Sequence, residues 1–328
     1  MSSGNGQSRI PVEILDAQFR PIGDLRTFPQ LRKRPLWPAL VLFALTVIST
    51  LTVGSEFALS YAQNREPFSA SESLVATMLT ALSHPRLLVL GIPFSFTLLT
   101  ILLAHELGHY FACKFYGIDV SYPYFIPAPT LFGTFGAFIR IRSPITTRRA
   151  LFDVGFSGPL VGFLLAVPAI AWGIAQSKIV PGVEVNAPVV FGSLPLVRLL
   201  IALFHPHIRP EWMLLNPMAR AAWVGLFVTG LNLLPVWQLD GGHIVYSVSH
   251  RIHWRVSLAV ALGLLLLGKY AWPGWYLWGG LLLVLALRFR HPPVYDQWQP
   301  LDPSRRLLAV AALLMFILCF TPWPVVIP

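Results

Sequence analysis

The sequence predicts an all-α, polytopic membrane protein. Of its 328 residues, 55% are hydrophobic and 12% are charged, and the mean hydropathy is +0.65. An ordinary soluble domain has about 25% charged residues. Several uncharged runs also reach the roughly 18 residues that indicate a membrane-spanning helix. These observations exclude a soluble globular enzyme, a disordered chain and a collagen-like chain.

About seven apolar segments are predicted to cross the membrane. They are 36–53, 87–104, 154–177, 221–239, 256–272, 275–287 and 307–321, and the second should continue as a helix to about residue 111. The sixth is separated from the fifth by a Pro-Gly pair, which is a turn signal. The segments divide the chain into an N-terminal segment (1–35), a first span with its loop (36–86), a central part (87–250) and C-terminal transmembrane helices (251–328).

Two further apolar stretches are not predicted as spans. Residues 120–139 carry no charge, but they contain three prolines within seven residues and two glycines after them. Each proline in a helix interior costs about 3 kcal/mol, so we expect an extended or re-entrant segment here. Residues 185–208 contain Arg198 as well as Pro188 and Pro195. We expect a loop with a short helix lying at the membrane interface.

The distribution of basic residues predicts the orientation. With seven spans and a cytoplasmic N-terminus, 17 of the 24 Lys and Arg residues fall in inside segments and six in outside segments. This is the bias of the positive-inside rule. It also accounts for the formal charge of +10, so we expect the lipid bilayer and not nucleic acid as partner. We expect a multi-pass protein of a prokaryotic cytoplasmic membrane, with segment 1–35 cytoplasmic and the loop before 87 extracytoplasmic.

A candidate metal site lies at the end of the second span. His105, Glu106 and His109 form the pattern H-E-x-x-H. Residues four apart lie on one face of a helix, so both imidazoles can reach one zinc ion. Glu106 can then act as general base on a metal-bound water. The alternative is a pair of interfacial histidines beside a snorkelling glutamate, although a charged residue in a span is a functional candidate by default.

A catalytic zinc needs a third protein ligand and an open position. Downstream of His109, the only glutamates are Glu184 and Glu211, and both fall in segments predicted outside. Asp240 follows the fourth predicted span and is the best candidate, although Asp-Gly is also a turn signal. His105 and Asp240 share a membrane face only if an even number of crossings separates them. The predicted spans 154–177 and 221–239 supply two.

Three segments in this order resemble the site-2 protease family of intramembrane zinc metalloproteases. They are the H-E-x-x-H helix, the Gly-Pro-Leu-Val-Gly run at 158–162 and the segment 232–243, with its Asn, Pro and Asp-Gly-Gly-His. The Gly-Thr-Phe-Gly-Ala run at 133–137 also resembles the re-entrant element of that family. The resemblance covers about 87–250, which it marks as a metalloprotease core.

The resemblance implies a site as well as a fold. It implies one zinc ion per chain held by His105, His109 and Asp240, with Glu106 as base, and places Asn232 near the substrate carbonyl. From it we also take Gly133 and Gly136 as candidate substrate contacts. The implied activity is regulated intramembrane proteolysis, in which a peptide bond in or near the transmembrane segment of a membrane protein is cut. No insertion is long enough for the PDZ or CBS domain that many members carry.

Two other functions compete with a protease. The first is a catalytically idle protein of the same fold that binds or retains membrane proteins, and the intact set of candidate site residues argues against it. The second is an ion-coupled transporter, which would usually show internal repeats and charged groups at mid-membrane in several spans. The sequence carries no signal for an oligomeric state or for the identity of a substrate.

Overall fold

The computed structural model describes residues 14–15, 21–23, 35–68, 74–183, 190–296 and 298–326. The predicted N-terminal segment therefore lies almost entirely outside the described residues. The chain divides into two compact units, Met1–Trp37 and Pro38–Pro328. In the first unit, β1 (Ile14–Leu15) pairs antiparallel with β2 (Pro21–Gly23).

The second unit is mainly helical. Its helices are α1 (Trp37–Ala62), α2 (Leu74–Ser83), α3 (Pro85–Leu90), α4 (Ile92–Phe115), α5 (Arg148–Ala175), α6 (Pro195–Phe204), α7 (Pro217–Asn232), α8 (Asp240–Val248), α9 (His250–Tyr270), α10 (Gly274–Arg288) and α11 (Pro303–Cys319). In the described part of the chain, α1, α4, α5 and α9 are long and apolar enough to cross a membrane.

The predicted class of helical membrane protein is therefore confirmed. By length and composition, however, four of the described helices qualify as membrane spans, and not the seven that were predicted. The other three predicted spans correspond to α7, α10 and α11, which have 16, 15 and 17 residues. A helix rises 1.5 Å per residue, so each of these covers somewhat less than the roughly 30 Å hydrocarbon core.

The proline-rich segment 120–139 is extended, as predicted. β3 (Tyr124–Pro127) and β4 (Thr134–Phe138) form an antiparallel hairpin in which Tyr124 pairs with Phe138. Two more strand pairs are short: β5 (Lys178–Ile179) with β7 (Met213–Leu214), and β6 (Val190–Phe191) with β8 (Val325–Val326). In the described part of 185–208, α6 is the short helix that was predicted there.

The first span is longer than predicted because its buried glutamate has polar partners nearby. α1 continues nine residues past residue 53. Glu56 is buried there, accepts a hydrogen bond from Ser60 at 2.7 Å and pairs with Arg65 at 3.3 Å. These contacts offset the cost of burying a carboxylate, so the helix does not end where the polar residues begin.

The fourth predicted span ends earlier than predicted. α7 stops at Asn232, the chain turns through 233–239, and α8 begins at Asp240. Pro235 lies in this turn, and Trp237 has a positive φ of 50°. Asp240 therefore lies at the start of a helix instead of the end of a span.

The core of the second unit is built by α4, α5 and α7. Leu98, Ile170 and Leu226, one from each helix, are completely buried. α4 and α5 approach so closely that a Cβ on Gly108 would lie 2.6 Å from the backbone oxygen of Ser157. This close packing brings α5 directly against the H-E-x-x-H turn of α4.

Candidate metal centre

Three side chains from two distant parts of the chain converge near the end of α4. The Nε2 atoms of His105 and His109 lie 3.1 Å apart. His105 Nε2 is 3.2 Å from Oδ2 of Asp240, and His109 Nε2 is 3.3 Å from Oδ1 of the same carboxylate. Both histidines are buried and Asp240 is half-buried. The structure thus brings together all three predicted ligands.

Local structure accounts for part of this arrangement. The two histidines are one turn apart on α4, which places their rings on the same face. Asp240 reaches them because the chain turns sharply between α7 and α8. The two glycines that follow it allow this turn: a Cβ on Gly241 would lie 2.0 Å from the carbonyl oxygen of Leu233.

The neighbouring helix α5 orients His109. Nδ1 of His109 lies 2.7 Å from the backbone carbonyl of Val154, which can only accept, so Nδ1 donates. Nε2 then carries the lone pair that faces Asp240. The ring also fills the space above Gly158, where a Cβ would lie 2.1 Å from Nε2. Gly162, one turn further along α5, lies in the same way against His105.

Glu106 lines a small cavity beside the three candidate ligands. The cavity has a volume of about 220 Å³. Its walls combine the H-E-x-x-H turn with part of the hairpin and with the segment around Asp240. The lining residues are His105, Glu106, His109, Ala137, Phe138, Ile139, Ile141, Val154, Asn232, Gln238, Leu239, Asp240 and His243. Glu106 is buried, and Ile139 lines the same cavity.

The predicted substrate contacts lie in different places. Nδ2 of Asn232 is 3.3 Å from Nε2 of His105, so Asn232 is in the candidate site. Gly133 is against α1, where its carbonyl accepts a hydrogen bond from Ser49 at 2.6 Å. Gly136 belongs to β4 but does not line the cavity; from that strand, Ala137 and Phe138 do. The role predicted for Gly133 and Gly136 remains a prediction.

His243 is part of the cavity wall, and the sequence showed no partner for it. Its Nδ1 lies 2.8 Å from Nε2 of His291, which follows α10. His291 has no motif around it that could have indicated this contact. The hydrogen bond from His109 to the carbonyl of Val154 could not be predicted from the sequence either, because any residue at position 154 offers the same backbone oxygen.

The donor set fits a zinc ion. Zinc bound at about 2.0–2.1 Å in a tetrahedral site separates its ligand atoms by about 3.3 Å. The two imidazole nitrogens lie 3.1 Å apart, and each is within 3.3 Å of a different oxygen of the Asp240 carboxylate. Two imidazoles and one carboxylate leave a fourth position free, as in catalytic zinc sites. The hydrogen bond from His109 to Val154 is the kind of contact that orients a metal-bound histidine.

The fold and the site together are those of a helical membrane protein with an H-E-x-x-H candidate metal site. The family model of peptidase family M50 matches residues 93–267, which is more than half of the chain. The chain therefore belongs to this family, the site-2 protease family. The resemblance found in the sequence is confirmed, and membership of this family supports the predicted class of zinc metalloprotease with a zinc cofactor.

Curated relatives carry the same class name. The chain is 30% identical over 302 residues to "Probable zinc metalloprotease EGY1, chloroplastic" of Arabidopsis thaliana, a match that covers 87% of this chain and 52% of the relative. It is 29% identical to the rice (Oryza sativa subsp. japonica) EGY1 protein, over 71% of this chain and 41% of the relative. It is also 29% identical to "Probable zinc metalloprotease EGY2, chloroplastic" of Arabidopsis thaliana, over 77% of this chain and 45% of the relative.

The chain thus spans about half the length of the curated relatives it matches. Their names place them in chloroplasts, so they confirm neither a prokaryotic membrane nor the orientation of the N-terminus.

Proposed function

We propose that this protein is an intramembrane zinc metalloprotease that hydrolyses a peptide bond within or near the transmembrane segment of a membrane-protein substrate. The observation that carries the proposal is the convergence of His105, His109 and Asp240, whose candidate ligand atoms lie within 4.8 Å of one another, with Glu106 lining the same cavity. A pair of interfacial histidines would not account for a carboxylate positioned between both rings.

Each polar side chain of the cavity has a role in this reaction. When bound, a zinc ion would polarise the scissile carbonyl and lower the pKa of a water molecule to about 7. Glu106 would accept a proton from the attacking water and pass it to the leaving amine. The Asn232 amide, 3.3 Å from His105, would donate a hydrogen bond to the substrate carbonyl oxygen.

The hairpin β3–β4 would bind the unwound substrate. A helix hides its carbonyl groups in internal hydrogen bonds, so the substrate must become extended before it can be cut. In this two-stranded sheet, β4 pairs with β3 on one edge only. Its Ala137 and Phe138 line the cavity. An extended peptide could therefore add to β4 beside Glu106, in the manner of strand addition. Gly133 and Gly136 would act by shaping this hairpin.

The same proposal includes the membrane topology and the domain organisation. We place seven spans in the bilayer: α1, α4, α5 and α9, together with the shorter α7, α10 and α11. The N-terminal segment 1–35 would be cytoplasmic and the catalytic core would be 87–250. This arrangement rests on the 17-to-6 split of basic residues and puts the metal centre near the cytoplasmic side. The physiological setting would be regulated intramembrane proteolysis in a prokaryotic cytoplasmic membrane.

Reconstitution tests the proposal. The purified chain would be placed in proteoliposomes with a single-span model substrate, and the products would be followed by mass spectrometry. We expect one zinc ion per chain, loss of cleavage after chelation and recovery when zinc is restored. His109→Ala should lose both zinc and cleavage. Binding of the substrate without cleavage by the zinc-loaded wild type would instead favour the idle membrane-binding function.

A further inference from the structure

His243 presents a further polar group to the cavity beside the three candidate ligands, called the metal cavity from here on. The ring lines this cavity of about 220 Å³ and is half-buried. Its Nδ1 lies 2.8 Å from Nε2 of His291, which lines a second cavity of about 340 Å³. Tyr246 stacks on His291 with ring centroids 3.9 Å apart, so His243 is held by a partner whose own ring is fixed by packing.

A chain of hydrogen bonds determines which nitrogen of His243 carries hydrogen. Nδ1 of His291 lies 2.8 Å from the backbone carbonyl of Pro292, which can only accept, so Nδ1 donates. Burial lowers the pKa of His291 to about 3, so this ring is neutral at pH 7 and its Nε2 carries a lone pair. Nδ1 of His243 therefore donates to His291, and Nε2 of the neutral His243 ring is left as an acceptor.

This acceptor is both unused and accessible. Nε2 of His243 has no hydrogen-bond partner among the described residues. In the described part of the chain, the side-chain atoms that are unpartnered and fully enclosed belong to Asp119, Ser193, His205 and Trp237. His243 Nε2 is not among them, so it keeps accessible surface. Because the ring lines the metal cavity and does not line the second cavity, its lone pair is open to the metal cavity.

His243 and Asn232 approach the candidate zinc position from different sides. Nδ2 of Asn232 is 3.3 Å from Nε2 of His105. His243 instead packs against α5, where a Cβ on Gly155 would lie 2.8 Å from its own Cβ. The preceding residue of α5 supplies the carbonyl that binds His109. The cavity thus presents a donor beside one candidate histidine ligand and an acceptor beside the turn that orients the other.

We propose that His243 is a substrate-binding residue whose Nε2 accepts a hydrogen bond from the N–H of the scissile peptide bond, while Asn232 donates to the carbonyl oxygen of the same bond. In a planar trans peptide unit the C=O and N–H groups point in opposite directions, so a donor on one side and an acceptor on the other match one such unit. The nitrogen keeps this hydrogen when it becomes the leaving amine. The contact rests on the proposed protease function, and it specifies how the substrate peptide plane is turned in the cavity.

An ester substrate tests this contact on the full, zinc-loaded protein. Once mass spectrometry has located the cut in a single-span model substrate, semisynthesis would replace the N–H of that bond with oxygen, which removes the donor and keeps the carbonyl. We expect His243→Phe to cleave the amide about fivefold more slowly than wild type, the size of one neutral hydrogen bond, and the ester at the wild-type rate. His243→Gln, whose amide oxygen can accept, should retain more amide cleavage. His250→Phe is the matched control, because His250 lines the second cavity and not the metal cavity.

A second measurement does not depend on turnover. In the Glu106→Gln background, binding of the two substrates would be followed by fluorescence energy transfer in proteoliposomes, together with zinc content. Adding His243→Phe should weaken binding of the amide about fivefold and leave ester binding and zinc content unchanged. A loss confined to the amide in either measurement supports the contact. An equal loss for both substrates, or no loss, in both measurements would overturn it while the protease function stands. Failure of the zinc-loaded wild type to cleave either substrate would overturn the protease function and this contact with it.

Discussion

His109 donates a hydrogen bond from Nδ1 to the backbone carbonyl of Val154, 2.7 Å away on the adjacent helix. This contact with α5 therefore determines which ring nitrogen of His109 faces Asp240, although the histidine itself belongs to α4. This contact depends on how closely the two helices approach, and glycines in both helices permit that approach. The geometry of the candidate metal centre thus depends on packing residues that carry no functional group.

Gly158→Ala should weaken zinc binding. A Cβ at this position would lie 2.1 Å from His109 Nε2, so the ring must leave the position in which it faces Asp240. Loss of an orienting contact around a metal typically costs about 10–100-fold in affinity, and we expect a loss in this range. Zinc titration with a competing chelator measures it. Gly263→Ala in α9, where a Cβ meets no atom within 4 Å, is the matched control. Equal zinc affinity in the two variants would contradict the packing argument.

Glu106→Gln should keep zinc but stop cleavage. The three candidate ligands remain, whereas the amide cannot accept the proton of the attacking water. We expect zinc content near one per chain and a fall in cleavage rate of roughly 10²–10⁴-fold. Zinc analysis and a substrate-cleavage assay on the same preparation measure both quantities. Full cleavage by this variant would remove Glu106 from the mechanism.

Asp240→Asn should lower zinc affinity, because a neutral amide is a poorer ligand than a carboxylate for a divalent ion. Asp240→Glu should also be impaired, since the extra methylene moves the oxygen by more than the roughly 0.2 Å that a metal site tolerates. Neither change should unfold the protein, which circular dichroism can verify. If Asp240 served only the turn, Asn-Gly would replace Asp-Gly without loss. Wild-type zinc occupancy and cleavage in Asp240→Asn would therefore show that the third ligand lies elsewhere.

Cysteine labelling should locate the loops on opposite sides of the membrane. Leu199→Cys and Trp298→Cys introduce thiols at exposed positions, and the native Cys113 and Cys319 are buried. In oriented vesicles, an impermeant reagent should reach position 298 from the cytoplasmic side and position 199 from the other side. A label at 199 that enters only from the cytoplasmic side would contradict the topology derived from the basic residues.

His291→Gln should reduce acid destabilisation. The folded protein holds the pKa of His291 at about 3, below its ordinary 6.5. Between these values the unfolded chain binds more protons than the folded one, so stability falls as pH decreases below 6.5. The loss between pH 7 and pH 5 should be at most about 2 kcal/mol. Melting temperatures at both pH values measure it, with His84→Gln at an exposed histidine as control. An equal pH dependence in wild type and His291→Gln would refute this assignment.

Part of the structure follows from local rules, and the sequence by itself determined that part. Apolar runs determined which segments become long helices. The three prolines of 120–139 excluded a helix, and this segment is the hairpin β3–β4. The spacing of His105 and His109 placed both rings on one face of α4, since a helix repeats every 3.6 residues. The same local rules did not determine where the helices end. The burial of Glu56 extends α1, and the turn after Asn232 shortens α7.

Only the tertiary structure decided what surrounds those histidines. Asp240 comes within 3.2 Å of His105 because α5 and α7 pack against α4 and the chain turns between α7 and α8. The carbonyl of Val154 and the contact of His243 with His291 have no signature in the sequence, since a backbone oxygen is common to all residues and a lone histidine fits many environments. Periodicity and proline act over a few residues, so the sequence displays them directly. Distances between residues far apart in the chain depend on how all the helices pack, and no single segment records them.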